Sequence, residues 1–220
     1  MKYMSNASSY KNTYRKILLV ILAMLFLVLT GLVVTNENIH LDQVVSKRLQ
    51  PTDPDHVNAV MVAFSIFGNV PSAIIVTLSI SAILYFLKNK RESILVLSTL
   101  ITGIVSWIIK ILVDRPRPTA DLVNILEKTS FQSFPSGHTL FYTVLFGNIG
   151  ILIFYADKIK PWLKSVLIFA CVLIVLIAGY SRIYLGSHWF TDVVGGLILG
   201  LMLLIGGEYW YRRPMENKRS

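Results

Sequence analysis

Six runs along the chain are apolar over most of their length: Ile17 to Val34, Val70 to Leu87, Ser93 to Val113, Thr139 to Tyr155, Trp162 to Tyr180 and Val193 to Tyr211. A helix needs roughly 20 apolar residues to cross the hydrocarbon of a bilayer, and in lipid it satisfies every backbone N–H and C=O internally. The pattern predicts an all-α, polytopic membrane protein. Residues 17–211 form a six-transmembrane-helix bundle between an N-terminal tail (1–16) and a basic tail (212–220). The first run has a long core with no small-residue cleavage site before Asn36, which favours an uncleaved anchor over a signal peptide. Val57, Val60, Met61, Phe64 and Phe67 recur at helical spacing up to the breaker Gly68-Asn69-Val70-Pro71. This segment reads either as a helix lying on the outer leaflet or as an early start of the second span. No repeat or linker divides the chain.

Composition agrees. Of 220 residues 54% are apolar and 15% charged, and the mean hydropathy is +0.62, values outside those of an ordinary soluble domain. A net charge of +9 raises nucleic acid as a partner, but that requires a basic face on a soluble module, whereas these cations sit between apolar runs. Nucleic acid is therefore excluded and the bilayer is the expected surrounding. Cys171 has no intrachain partner, which rules out a disulfide framework and a cysteine-rich metal site.

Cation placement predicts orientation. Lys2, Lys11, Arg15 and Lys16, the link with Lys88, Lys90 and Arg91, the link with Lys158, Lys160 and Lys164, and the tail with Arg212, Arg213, Lys218 and Arg219 fall on one side, 14 of the 21 cations. Both termini are expected in the cytoplasm. The segments 36–69 and 114–135, and the stretch from Ser181 to Asp192, are expected to face outward.

Three polar stretches interrupt the apolar pattern at that outer face: KILVDRPRP from Lys110, FPSGHT from Phe134 and SRIYLGSHWFTD from Ser181. Charged groups beside hydrocarbon are costly and point to function. Singly, each has an ordinary reading, such as Lys110 pairing with Asp114 one turn away. Together they suit phosphoryl transfer, which needs cations on nonbridging oxygens, a positioned nucleophile and an acid for the leaving oxygen. Lys110, Arg117 and Arg182 supply the cations. Ser136 and Gly137 open the fourth span, where free N–H groups and the helix dipole favour an anion. His188 and Asp192 are four apart and share a face if the helix begins by His188. The carboxylate then fixes the tautomer, and the other ring nitrogen is free to attack. His138, on a different helix, is the natural general acid.

Lys110, six residues and Arg117-Pro118; Pro135-Ser136-Gly137-His138; and Ser181-Arg182, five residues, His188, three residues and Asp192 together resemble the three-part signature of the type 2 phosphatidic acid phosphatase superfamily. The resemblance implies His188 as nucleophile, Asp192 as its orienting acid, His138 as proton donor, and Lys110, Arg117, Ser136, Gly137 and Arg182 as phosphate ligands. Arg115 makes a second Arg-Pro pair but is too close to Lys110 for this spacing, and it is left out. A metal-independent lipid phosphatase without cofactor is expected, in a bacterial plasma membrane, with its active site facing outside. Its partner is a phosphorylated membrane lipid; no obligate protein partner is inferred. Phosphatidylglycerophosphate is the expected substrate and undecaprenyl diphosphate the alternative. A transporter should carry its charges at midplane depth, and a noncatalytic lipid-binding protein has no need for the His188–Asp192 pairing.

Overall fold

The computed structural model describes residues 2–35, 40–50 and 58–217, which fold into helices without a strand among them. In chain order the helices are α1 (Lys2–Thr35), α2 (His40–Leu49), α3 (Ala59–Gly68), α4 (Val70–Phe86), α5 (Lys90–Leu97), α6 (Ile101–Val113), α7 (Gly137–Tyr155), α8 (Pro161–Tyr184) and α9 (Phe190–Asn217). A 3₁₀ turn at Ser98–Leu100 joins α5 to α6 into one span, Lys90–Val113. Five stretches are long and apolar enough to cross a bilayer, and α3 with α4 supplies a sixth as a pair bent by 71°. Among the described residues six spans are thus present only if that broken pair counts as one.

The bend falls at the end of the 57–67 pattern. From Ala59 onward the segment is a separate helix, and Val57 lies outside the described residues, as do Asn36, Lys218 and Arg219. Asn58 caps α3 by accepting from Val60 N at 2.9 Å, and Pro71 in the first turn of α4 starts the next helix on a new axis. The expected tail 1–16 has no break from the first span, because α1 is continuous from Lys2. Similarly, α8 extends four residues past its apolar run to Tyr184, because Ser181 and Arg182 are buried rather than expelled to solvent.

α7 is the central helix, packed along α8 and α9 around Phe141, Tyr142, Leu145 and Ala178. α1 lies on α9 and leaves Leu18, Met24, Leu27 and Val28 exposed on an apolar face suited to lipid. At the α7–α9 crossing the backbones nearly touch: a Cβ on Gly196 would sit 2.6 Å from Ser136 O. Glycine allows this approach. At one end of the bundle the 114–136 loop folds over the helices, pinned by Leu126 N and Glu127 N donating to Leu185 O, each at 3.1 Å. Gly186 makes that turn with φ +68°, where a Cβ would meet Asn124 O at 2.1 Å.

Candidate active site

The three polar stretches converge at this end. α9 begins at Phe190, so His188 precedes the helix rather than sitting in its first turn as the spacing required. The two side chains still meet, because Asp192 reaches back as an N-terminal capping acid. Its Oδ2 accepts from Trp189 N at 2.8 Å and faces His188 Nδ1 at 3.4 Å. Ser133 Oγ also donates to Oδ2 and lies 3.4 Å from Nδ1. His188 Nε2 faces Arg117 Nη1 at 3.3 Å. A guanidinium only donates, so Nε2 is the unprotonated nitrogen and Nδ1 carries the hydrogen toward Asp192. Burial first, then Arg117, Lys110 and Arg182, push the imidazole well below its usual value of 6.5, which keeps it neutral.

The cations come from three elements. Lys110, in the last turn of α6, donates to the Gln132 and Ser133 carbonyls, the latter at 3.1 Å. Asp114, the residue that could have paired with it, instead caps α6 in the left-handed region (φ 49°) and accepts from Gln132 Nε2. Arg117 is tied to the Phe131 carbonyl at 2.6 Å. Burial, and next the neighbouring Arg182, lower it to about 10. Arg182 donates from Nη1 to Ser65 Oγ at 2.7 Å and pairs with Glu127 at 3.2 Å, while its buried Nε and Nη2 have no partner among the described residues. Buried guanidinium donors without acceptors are unusual and suit an anion.

Ser136 caps α7. Its Oγ accepts from Thr139 N at 3.4 Å and its backbone N–H donates to Asp192 O at 2.9 Å, so this amide is already committed. Gly137 follows, with a Cβ position 3.2 Å from Ser106 Oγ. The first-turn amides after Ser136 have no intrahelical acceptor. His138 stands apart from the His188 group: its Nε2 lies 3.1 Å from Ser65 O. A carbonyl only accepts, so Nε2 bears a proton. Its route to His188 runs through Ser65 to Arg182, whose carbonyl takes the His188 and Ser187 amides at 3.1 Å.

Five participants escaped sequence reasoning. Arg115, set aside on spacing, is buried and bridges Asp192 (2.6 Å) and Asp42 (2.7 Å). Unlike Lys110 and Arg117, it is spent on carboxylates. Ser133 sits two residues before Pro135, within reach of the motif. Asp42, Ser65 and Glu127 carry no spacing signal that would have joined them to it.

A family model described as PAP2 superfamily matches residues 91–216. The chain belongs to this superfamily. It is 31% identical over 187 residues to phosphatidylglycerophosphatase B of Bacillus subtilis, covering 83% of this chain and 89% of that protein. Identity to an undecaprenyl-diphosphatase of Sulfolobus acidocaldarius is 30% over 189 residues, covering 82% and 84%. A crystal structure of a transmembrane PAP2-type phosphatidylglycerolphosphate phosphatase from Bacillus subtilis superposes with a TM-score of 0.73 at 26% identity, covering 89% of this chain and 96% of that one. The family match begins at Arg91, so Asp42 and Ser65 lie before it.

Proposed function

We propose that this protein is a metal-independent lipid phosphatase that removes the terminal phosphate of phosphatidylglycerophosphate through a phosphohistidine on His188. The observation that carries the reading is the setting of His188: Nε2 lies 3.3 Å from Arg117 Nη1 and Nδ1 faces the buried Asp192 carboxylate at 3.4 Å. In the first step Nε2 attacks phosphorus while the P–O bond to the lipid breaks. Asp192 stabilises the resulting imidazolium, and the departing oxygen takes the proton of His138 Nε2, replacing the Ser65 carbonyl. Lys110, Arg117, Arg182, the Ser136 hydroxyl and the amides after it hold the nonbridging oxygens. In the second step His138 accepts a proton from water, which attacks phosphorus. The N–P bond breaks and inorganic phosphate leaves.

Cations and helix-terminal donors take the role a metal would play, and among the described residues no group of three His, Cys, Asp or Glu side chains could hold one. Undecaprenyl diphosphate is the second reading, favoured by the Sulfolobus acidocaldarius relative. The catalytic domain is residues 17–211, set in a bacterial plasma membrane with tails 1–16 and 212–220 in the cytoplasm. The cation bias supports an outward site. The test is phosphate release from purified lipids in detergent with EDTA present. Phosphatidylglycerophosphate should turn over fastest. Faster turnover of undecaprenyl diphosphate would select the second reading, and turnover restored only by a divalent ion would overturn the metal-free one.

A further inference from the structure

Asp42 is buried at 1% exposure in a short helix between the first two spans, outside every signature motif. Both of its oxygens are spent on other elements. Oδ1 accepts from Thr191 N at 2.8 Å, and Oδ2 accepts from Thr191 Oγ1 and Arg115 Nη2, each at 2.7 Å. Asp42 therefore caps the first turn of α9 from another helix, one residue from Asp192. Arg115 completes the circuit, with Nη1 donating to Asp192 Oδ1 at 2.6 Å and to Thr191 Oγ1 at 2.7 Å, and its guanidinium lies over the Trp189 ring at 5.9 Å.

Charge gives this arrangement a catalytic consequence. Arg115 alone on Asp192 would form a neutral pair with little charge left to stabilise an imidazolium. Shared with a second carboxylate, the group keeps one net negative charge beside His188, in a buried setting where it acts strongly. We propose that Asp42 is a positioning residue for the phosphatase reaction: through Arg115 and Thr191 it holds Asp192 against His188 and keeps that carboxylate negative when the phosphohistidine forms. The inference rests on the phosphatase reading above. The hydrogen bonds of Asp42 go to Arg115 and Thr191 rather than to His188, Lys110, Arg117 or Arg182, so its effect should reach the chemical step and leave anion binding alone.

The full-length protein in detergent provides the test, with Asp42→Asn, Arg115→Gln and the double variant. Asp42→Asn should lower kcat by about 10- to 100-fold, the range of coupling within one buried network, with KM and inhibition by inorganic phosphate within about threefold of wild type. On the Arg115→Gln background it should cost less than it does alone, because the Arg115 link to Asp192 is already cut and only the Thr191 contacts remain. If Asp42→Asn does not purify folded, Arg115→Lys, which keeps the charge but loses the fork bridging both carboxylates, should give the same kcat-specific loss. A lowered Tm with unchanged kcat, a loss confined to KM, or full multiplication of the two single losses would overturn the inference. Wild-type protein inert toward every lipid phosphate would overturn the phosphatase reading and this inference together. Wild-type turnover with normal kcat in Asp42→Asn would overturn this inference alone.

Discussion

Gly196→Ala tests how closely the α7–α9 crossing sets the site. The new Cβ would lie 2.6 Å from Ser136 O, 3.1 Å from Thr139 Cβ and 3.2 Å from Leu140 N. Two of the three are backbone atoms of the helix that begins Ser136-Gly137-His138, so no side-chain rotation relieves the contact. Contacts between 3.0 and 3.4 Å are already tight, so the helices must part by about 0.4–0.8 Å, at a cost of roughly 1–3 kcal/mol for overpacking. The same crossing carries the 2.9 Å bond from Ser136 N to Asp192 O, which ties the start of α7 to the helix holding Asp192. A displacement near 1 Å can cost 10²-fold in rate, so kcat should fall roughly 10- to 100-fold. Gly206→Ala is the control: nothing lies within 4 Å of its Cβ, and it gains the same helix propensity, about 1 kcal/mol. Phosphate release and thermal melting in detergent are the assays. Wild-type kcat and Tm in Gly196→Ala would refute the claim that backbone contact at this crossing positions the site.

The pH profile offers a second check. Protonating His188 abolishes its nucleophilic lone pair, and its lowered pKa keeps the proton off, so the acid limb it contributes to kcat/KM should lie below pH 6.5. Arg117→Gln removes the second-largest cause and should move that limb upward yet leave it below 6.5, since burial is the larger cause; an unmoved limb would remove Arg117 from the imidazole's surroundings. His138→Ala should slow single-turnover cleavage of the lipid alkoxide by on the order of 10² to 10⁴, the usual scale of acid catalysis, and slow a nitrophenyl phosphate far less. Equal losses would make His138 another phosphate ligand. In a Cys171→Ser background, Ser130→Cys should react with an impermeant thiol reagent on intact cells while Asn89→Cys should not, and the opposite pattern would reverse the orientation.

Much of the fold was legible because lipid enforces a simple rule: long apolar runs become helices, and each of the six runs became helix. Ends were less legible. α8 runs on through Ser181 and Arg182, and α9 starts only at Phe190, because burial and capping, rather than hydropathy, set where these helices stop. The signature residues could be found since their spacing is fixed along the chain, and the structure gathers His188, Asp192, Arg117, Lys110 and Ser136 into one bonded group. Their supports were not legible. Asp42, Ser65 and Glu127 reach the site from α2, α3 and the 114–136 loop, whose approach depends on tertiary packing. Arg115 shows the limit of spacing as a guide: it excluded the residue from the phosphate-facing set and said nothing of its ion pairs with Asp42 and Asp192.

Nucleophilic attack by His188 is most directly tested by trapping the intermediate. Phosphatidylglycerophosphate labelled in its terminal phosphate is mixed with enzyme in EDTA and quenched in denaturant without acid, and the labelled peptide is then mapped. Label is expected on His188 in wild type, faintly in Asp192→Asn and not at all in His188→Ala. Label on another residue, or equal labelling in wild type and His188→Ala, would contradict attack by His188.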